Sequence, residues 1–598
     1  MKTFTSCLVV LALVLSSFCV KAQISLDNYR FYIDEPRKLI VSDQLPTPAQ
    51  ITVFPIQVKL GDQTFTFANG ITTLSVGVKY TITNSGKSYS LYFTELPVIN
   101  LQIADPSQIN GTDEIPGAIS LSDGKGTPYN SNMAIRTRGN SSSFFPKKSY
   151  RVQLKDGAGK NKDESLLGLR NDKRWLFLAL WNEEIRANNM ISHNLWIDIH
   201  KVYYAASEPK AISSIRLKYV EVFMNKSYLG VYGFAEDMDR KQLALKKEDG
   251  GVTHGELYKA DDWSLSAAFA GIGVAKAEPG SADWQHWELE YPDYSDWQNH
   301  YNFLKAVIES SDNDFKNNIG NLLKIDNLID YFIFTNLLLV EDNMEKNYFL
   351  ARYDQGEPYF IIPWDLDATW SYFPDGKRSN RVEGERTTEL YKRLFKLNPN
   401  DFKNKLATRW FALRQNLLTE SNLKGRFSTS YNTLNSNLIY ERESLVAQDQ
   451  YGGGNRSGGL NYIHSFISQR LVWLDNYFCP MVVGGNCNNP VTCNFAIAPT
   501  ANSQSYTPQQ AMTFNANCTG ADCGSVTYAW TGNGANASGA SANINAPSAP
   551  GDYTYTLTAS KAGCADKTAS LTIHVGNAPV ECDFNVTAAP SNATPACS

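Results

Sequence analysis

Two short apolar runs between residues 348 and 364 are joined by a turn and flanked on both sides by acidic residues. Runs of this kind around a glycine-containing turn predict a β-hairpin. Because a hairpin brings its two ends together, Asp342 and Asn347 before it should lie near Asp365 and Asp367 after it. Carboxylate and amide oxygens suit Mg²⁺, Mn²⁺ or Ca²⁺. The stretch therefore predicts a metal-capable cluster of oxygen ligands.

The spacing of these residues resembles the order found in protein kinases, where an Asp, four residues and an Asn precede a hairpin and a metal-binding Asp. Asp342, Asn347 and Asp365 follow that order, without His-Arg before the first Asp or Phe-Gly after the second. A single acidic residue beside a turn is typical of ordinary turn chemistry. The whole ordered set favours a functional site.

The length of 598 residues is too great for one core and predicts two to four domains. A net charge of −5 and a pI near 5.9 give no indication of general binding to nucleic acids or to anionic membranes.

Residues 1–22 have the pattern of a secretory signal peptide: Lys2, an apolar core over residues 8–15, and small residues before Gln23. That core is too short to remain as a membrane-spanning helix. No later stretch reaches membrane-spanning length. The mature chain is expected to be exported, as a secreted or cell-surface protein without a membrane span.

The cysteines are grouped at the C-terminal end. Two of the ten, Cys7 and Cys19, lie in the predicted signal peptide, and the other eight follow residue 478. Such a set in an exported chain predicts disulfides, with the pairing open. Zinc is disfavoured because no Cys-x-x-Cys pair occurs.

Three further segments are rich in strand patterns. Residues 24–95 predict a small all-β module, a sandwich, and residues 493–576 predict an immunoglobulin-like (Ig/PKD-like) β-sandwich. Residues 582–598 loosely repeat the start of the second module, which predicts a further copy that is truncated.

A small-residue loop, residues 138–142, lies before a pair of lysines and an alternating segment. Its backbone N–H groups are suited to holding phosphates. The alternation predicts a strand in which Lys148 shares the apolar face with Tyr150, while Lys147 shares the opposite face. A charged group on an apolar face needs a partner.

Glu183 and Glu184 open a predicted helix, residues 183–200. Acidic residues in a first helical turn are commonly solvated and favoured by the helix dipole. The functional alternative makes one of them the partner of Lys148, as a helix Glu pairs with a strand Lys in kinases.

Residues 96–480 have strands first and helices later. Residues 217–234 predict a hairpin, residues 250–300 an irregular insertion, and residues 297–340 a helical region. The pattern predicts an α+β domain with a small β-rich lobe, a helical lobe and a cleft between them.

This middle part of the chain, roughly residues 97–478, resembles the spore-coat-protein-H-like (CotH) kinase family. The motifs that match occur in the family's order: Arg138-Gly139-Asn140-Ser141-Ser142, Phe145-Pro146-Lys147-Lys148-Ser149-Tyr150-Arg151, Leu167-Gly168-Leu169 with Trp175, Tyr228-Leu229-Gly230-Val231-Tyr232 with Glu236, Asn347-Tyr348, Pro363-Trp364-Asp365-Leu366-Asp367, and Phe466-Ile467-Ser468-Gln469-Arg470 with Trp473.

The resemblance implies an atypical, two-lobed protein-kinase-like fold flanked by the all-β sandwich modules. It also implies transfer of the γ-phosphate of ATP to hydroxyl side chains of secreted or surface proteins. Asp342 would be the catalytic base, and Asn347 and Asp365 would bind Mg²⁺ (or Mn²⁺). Asp367 belongs to the acidic motif, as a metal ligand or as a support for Asp365.

The same resemblance implies which residues hold ATP. They are Lys148, Arg138, Gly139, Asn140, Ser141 and Glu184. The adjacent Lys147 leaves the phosphate-binding lysine open by one position, and strand alternation favours Lys148.

Two alternatives come from other classes of protein. Asp365 and Asp367 also form the Asp-x-Asp motif of a glycosyltransferase that binds a nucleotide sugar. That alternative leaves Lys148 and the pair Asp342 and Asn347 without a role. A non-catalytic extracellular scaffold or adhesion protein fits the flanking β modules, whose ligands would be a surface polymer or a protein. A scaffold has no need of the complete set of site residues.

Overall fold

The computed structural model describes residues 23–46, 56–68, 71, 73–126, 128–139, 141–446, 450–452, 454–484, 495–520, 523–561 and 566–576. The chain divides into two compact units, residues 1–487 and residues 488–598. The predicted signal peptide, Asn140 and the predicted copy at residues 582–598 lie outside the described residues.

The first described strands form one seven-stranded sheet. They are β1 (Gln23–Leu26), β2 (Phe31–Asp34), β3 (Leu39–Ser42), β4 (Gln57–Leu60), β5 (Gln63–Phe67), β6 (Lys79–Asn84) and β7 (Lys87–Phe93). Their order in the sheet is β1-β4-β5-β6-β7-β3-β2. In β6 the buried Tyr80 and Ile82 alternate with the exposed Lys79 and Thr81, so one face of the sheet forms a core.

The next strands close into a barrel. They are β8 (Val98–Ile103), β9 (Ile115–Ser122), β10 (Tyr129–Arg138), β11 (Ser149–Lys155), then, after a short pair, β12 (Glu164–Ser165) and β13 (Asn171–Asp172), β14 (Arg174–Leu178), β15 (Leu217–Met224) and β16 (Ser227–Ala235). The barrel order is β10-β11-β14-β16-β15-β8-β9. The predicted hairpin over residues 217–234 is confirmed as β15 and β16. Ile135, Val152, Trp175 and Phe234 are among the buried side chains of the barrel core.

A five-stranded sheet contains the central hairpin. Its strands are β17 (Glu256–Ala260), β18 (Asp283–Trp284), β19 (Trp287–Tyr291), β20 (Tyr348–Arg352) and β21 (Phe360–Pro363), in the order β18-β19-β17-β20-β21. The prediction of an irregular insertion over residues 250–300 is therefore wrong in part. Its strands form because β17 pairs along β20, a long-range partner that a local pattern does not reveal.

Ten helices are described. They are α1 (Asn188–Ile199), α2 (Arg240–Leu243), α3 (Gln298–Ile308), α4 (Asp312–Leu322), α5 (Ile325–Leu338), α6 (Glu389–Leu397), α7 (Phe402–Arg414), α8 (Glu420–Ser436), α9 (Ile439–Glu443) and α10 (Ser457–Phe478). The helical region predicted over residues 297–340 is divided among α3, α4 and α5. Ser311 starts α4 anew because its side chain accepts a hydrogen bond from the Asp314 amide.

Ten strands are described in the second unit. They are β22 (Ala496–Ile497), β23 (Thr500–Ala501), β24 (Ser505–Tyr506), β25 (Ala511–Asn515), β26 (Cys518–Thr519), β27 (Thr527–Gly532), β28 (Ala535–Ser538), β29 (Ser541–Asn545), β30 (Gly551–Ser560) and β31 (Lys567–Val575). A three-stranded sheet, β23-β25-β29, and a five-stranded sheet, β24-β31-β30-β27-β28, share a core around Phe514, Trp530 and Tyr555.

One of the predicted disulfides is confirmed, because Cys518 and Cys523 are bonded within the second unit. Of the eight C-terminal cysteines, five lie outside the described residues: Cys487, Cys493, Cys564, Cys582 and Cys597.

Along the chain, β-rich regions at both ends flank a helical central region, so the α+β class is confirmed. In the part of the chain that the structure describes, no helix has the length and apolarity needed to cross a bilayer.

Candidate functional site

The predicted hairpin is confirmed, and its ends meet as expected. Strands β20 and β21 are antiparallel, with Tyr348 opposite Pro363. The Trp364 amide donates to the Asn347 carbonyl at 2.9 Å, which places Asp365 next to the start of the hairpin. Asn347 and Asp365 have φ angles of 57° and 54°. Asn and Asp tolerate this left-handed region better than other non-glycine residues. The left-handed backbone at Asn347 and Asp365 turns the chain away from the strand direction at both ends of the hairpin.

A neighbouring amide fixes this geometry from within. Asn343 is buried, and its Nδ2 donates to the carbonyls of Asn347 and Trp364. The hydroxyl of the buried Tyr331 on α5 donates to the Asn343 carbonyl. The two ends of the hairpin are thus attached to each other and to the helix behind them.

Asp342 lies in the turn before the hairpin, mostly buried. Its Oδ2 is 3.3 Å from Lys346 Nζ and accepts a longer contact of 3.5 Å from Asn347 Nδ2. Burial raises the pKa of Asp342, as do the nearby Asp365 and Asp262 carboxylates, while Lys346 opposes the rise. Asp342 is therefore a partly desolvated carboxylate next to a second one.

Asp367 is the carboxylate of this loop with a fixed partner. Its Oδ2 accepts a hydrogen bond of 2.6 Å from Asn182 Nδ2, and its Oδ1 accepts one from the Ala368 amide. Burial raises the pKa of Asp367 well above the ordinary value, with further contributions from Asp365 and Glu183. Asp365 is exposed and forms no hydrogen bond with any described residue.

Two asparagines at the start of α1 hold the backbone of the acidic loop. Asn188 Nδ2 donates to the Asp367 carbonyl at 3.0 Å, and Asn189 Oδ1 accepts from the Leu366 amide at 3.1 Å. Asn189 Nδ2 donates to Glu183 Oε1 at 2.6 Å. The connection from the barrel strand β14 to α1 thus positions the loop that contains Asp365.

Glu183 is fully buried, and its Oε2 has no hydrogen-bond partner among the described residues. Burial raises the pKa of Glu183 to about 7. The predicted helix over residues 183–200 begins only at Asn188, so neither Glu183 nor Glu184 lies in a first helical turn.

The barrel contributes Arg138, the last residue of β10. Its guanidinium lies over the Trp364 ring, 5.6 Å from the ring centre. Burial lowers the pKa of Arg138, and the Asp365 and Asp367 carboxylates oppose that effect. The structure therefore brings a cation of the predicted phosphate loop to the acidic loop.

The loop after Arg138 turns at Gly139, whose φ is 98°. A Cβ at this position would lie 1.9 Å from Ser142 Oγ, so only glycine fits. Ser141 begins a 3₁₀ turn, Ser141–Phe144, and the Phe144 side chain is 85% exposed at its end.

The two lysines after this loop have different surroundings. Lys147 is buried: its Nζ lies 2.7 Å from Glu443 Oε1 and also donates to the Val231 carbonyl. Lys148 is half-buried and its Nζ donates to the Ser143 carbonyl at 2.6 Å. Strand β11 begins only at Ser149, so the expected alternation does not extend to the lysines.

Glu184 has other partners than Lys148. Its carboxylate is 2.7 Å from an Arg378 nitrogen and accepts a hydrogen bond from Tyr372. The structure therefore does not bring Glu184 and Lys148 together. The buried lysine–glutamate pair of this region is Lys147 with Glu443.

The described residues include no group of three or more His, Cys, Asp and Glu side chains able to hold a metal ion by themselves. Mg²⁺ nevertheless needs only one or two carboxylates when substrate phosphates complete its shell. Asp365 raises the pKa of both Asp342 and Asp367, a repulsion that a cation relieves. The oxygen ligands present therefore fit a magnesium or manganese ion.

Sequence reasoning missed several residues of the site. The sequence does carry a signal for Asn188 and Asn189, which are adjacent within the predicted helix. Paired asparagines are unfavourable inside a helix, and their side chains more often form hydrogen bonds with neighbouring backbone groups. Asn182 precedes the Glu183–Glu184 pair and has no signal of its own. Glu443 lies in a charged run that is typical of a solvated helix, and only the tertiary structure buries it.

The CotH kinase protein family model matches residues 135–474 of this chain. The match covers more than half of the 598 residues and includes the barrel strands β11, β14, β15 and β16, the hairpin and the helices around it. The chain therefore belongs to the CotH kinase family, which implies a kinase-like phosphotransferase that uses ATP.

No curated protein matches the chain. Among solved structures, one described as "Structural basis for the promiscuous specificity of the carbohydrate-binding modules from the beta-sandwich super family" aligns with 21% identity and a TM-score of 0.14. The alignment covers 15% of this chain and 37% of that one. Such a likeness supports no conclusion about this chain.

Proposed function

We propose that this chain transfers the γ-phosphate of ATP to hydroxyl side chains of secreted or cell-surface proteins. Its barrel and helical region would be the two lobes of a kinase-like fold, with the site in the cleft. The observation that supports this most directly is the meeting of Asp342, Asn347 and Asp365 at the closed ends of the hairpin.

Asp342 is the proposed base. It would orient the acceptor hydroxyl and accept its proton as the oxygen attacks phosphorus. A partly desolvated carboxylate with a raised pKa is a better proton acceptor than an exposed one. Lys346, 3.3 Å away, stabilises the ionised form that this role requires.

Asn347 and Asp365 would hold the metal ion, with Asp367 supporting the loop through its bond to Asn182. The bound ion would neutralise charge on the phosphate oxygens of ATP. Asp365 is suited to this role because its carboxylate is exposed and has no hydrogen-bond partner among the described residues.

Arg138, Gly139 and Lys148 would hold the phosphates. Arg138 already lies beside the acidic loop, and Gly139 allows the backbone of its loop to turn sharply. The Lys148 ammonium donates a hydrogen bond of 2.6 Å to the Ser143 carbonyl and would exchange it for a hydrogen bond to a phosphate oxygen. Lys147, buried against Glu443, would instead support the barrel.

The test is incubation of the purified chain with γ-labelled ATP, Mg²⁺ and secreted proteins, compared with Asp342→Asn and Asp365→Asn variants. Asp354→Asn is the matched control, because Asp354 lies in the turn of the same hairpin and contacts His254. We expect label transfer by the native chain and the control alone. Transfer that persists in both site variants would contradict the assignment.

Thermal shifts with nucleotides separate this proposal from the glycosyltransferase alternative. Stabilisation by ATP with Mg²⁺ supports the kinase reaction, whereas stabilisation by UDP- or GDP-sugars alone contradicts it. Mass spectrometry of proteins co-secreted with the native chain or with Asp342→Asn would identify the acceptor and test the proposed export.

A further inference from the structure

A wide groove lies where the seven-stranded sheet meets the outside of the barrel. It has a volume of about 980 Å³ and is bordered by three parts of the first unit. Its floor is formed by β8, β9 and β10, and its walls by the loops around Tyr29 and Asp62 and by the turn after β11. A second cavity of about 710 Å³ shares Gln102, Ala118, Asn132 and Lys226 with it, so the two form one long trough.

The strand register builds the floor. Gln102 and Asn132 both lie opposite Ala118, so these three residues form one row across the strands. In the parallel row, Asn130 lies opposite Ser120. Each row therefore has a small residue at its centre, flanked by the exposed amides of Gln102 and Asn132 in the first row and by the exposed amide of Asn130 in the second. The residues that alternate with these along the same strands fill the barrel core, so the side chains of the two rows point away from the core.

The walls add an aromatic surface. Tyr29 lines the groove and is 50% exposed. Tyr32, beside it, is buried at the join between sheet and barrel. An exposed tyrosine ring over a groove of amides combines an apolar face with hydrogen-bonding groups.

The charges of the groove balance. Three acidic residues, Glu35, Asp62 and Asp156, line it together with three lysines, Lys155, Lys162 and Lys226. Several of these already form ion pairs, as Lys155 does with Glu114 and Glu35 does with Lys38. A nucleic acid or a polyanion needs a surplus of cations, and a lipid or an apolar helix needs an apolar lining. The described residues that line the groove carry no surplus of cations, and their apolar side chains, such as Phe31 and Ile33, are mixed with charged and amide groups.

We infer that this trough binds a neutral oligosaccharide chain. The amides of Gln102, Asn130 and Asn132 offer both donors and acceptors to sugar hydroxyls, and Tyr29 offers a ring on which the apolar face of a sugar can lie. The small residues Ala118 and Ser120 leave room between the amides for the chain. The inference is independent of the proposed phosphotransfer, because none of these residues belongs to the acidic site.

The test is isothermal titration of the full chain with neutral cello-, xylo-, manno- and chito-oligosaccharides, and with heparin fragments as an acidic comparison. We expect at least one neutral series to bind, with affinity that rises with chain length, and heparin to bind weakly or not at all. Failure of every neutral series to bind, or binding of heparin alone, would overturn the inference.

Matched variants locate the binding. Tyr29→Ala and Gln102→Ala should each weaken it by about tenfold, the loss expected for a ring contact or a pair of neutral hydrogen bonds. Tyr294→Ala and Gln108→Ala are the controls, because both side chains are exposed and neither lines the groove. Binding that is equally strong in the groove variants and the controls would place the sugar elsewhere and overturn the inference. The melting temperatures should not change, since all four positions are exposed or half exposed.

Discussion

Asn182 Nδ2 donates a 2.6 Å hydrogen bond to Asp367 Oδ2, whereas Asp365, two residues earlier, has no such partner among the described residues. The two carboxylates of one short motif therefore have different environments. Partners behind a ligand commonly contribute 10- to 100-fold to metal affinity or activity. Asp365 is the better candidate for direct contact with the ion, and Asp367 for holding the loop.

The first prediction concerns this difference. Asp365→Asn should abolish Mg²⁺-dependent transfer, because it removes the exposed ligand. Asn182→Ala should leave transfer possible but raise the Mg²⁺ concentration needed for half activity by roughly tenfold or more. Metal titrations of the rate measure both. Equal losses in the two variants that no Mg²⁺ concentration restores would contradict the division of roles.

The second prediction concerns the pH profile. Protonated Asp342 cannot accept a proton, so transfer should fall as the pH drops through its pKa, which burial holds above the ordinary value. Lys346 lowers that pKa. Lys346→Met should therefore move the acid limb of the kcat profile to higher pH, while Lys392→Met, on an exposed helix surface, should not. An acid limb that is unchanged or moves to lower pH in Lys346→Met would exclude Asp342 as the titrating base.

The third prediction concerns stability. The pKa of Glu183 is about 7 in the folded chain because of burial, whereas an unfolded Glu titrates near about 4.3. Folding therefore favours the protonated form of Glu183. The resulting contribution to the free energy of unfolding is fully present below the unfolded pKa and is lost as the pH rises through about 7. The effect is on the order of 3 kcal/mol.

Glu183→Gln should consequently raise the melting temperature at pH 8 by a few degrees and flatten its fall between pH 5 and 8. Scanning calorimetry of the metal-free chain measures this, with the exposed Glu278→Gln as the control. A Glu183→Gln chain whose melting temperature falls with pH as the native one does would show that another group titrates.

The fourth prediction separates the two lysines. Lys147→Met leaves the buried Glu443 without one of its cations and should destabilise the chain by about 3–5 kcal/mol. Lys148→Met should leave the melting temperature unchanged and raise the KM for ATP. The reverse assignment, with ATP binding lost in Lys147→Met at an unchanged melting temperature, would make Lys147 the phosphate ligand.

Local pattern was sufficient for the hairpin of β20 and β21, because its strands, turn and acidic ends are adjacent in sequence. The barrel pairings and the strands between residues 250 and 300 depend on distant partners, and sequence periodicity does not report these. The burial of Glu443 could not be predicted from the sequence for the same reason. Its neighbours in sequence are charged and typical of an exposed helix. In the folded chain, however, Glu443 is buried and forms ion pairs with Lys147 and Arg186.

The contact between Lys147 and Glu443 joins residues that are 296 positions apart. Chains are made from the N-terminus onward, so the barrel is synthesised long before the carboxylate that compensates its buried lysine. Until α9 is made, the barrel side lacks the Glu443 carboxylate. We therefore expect the buried lysine of the barrel to reach its final arrangement only after α9 has been made.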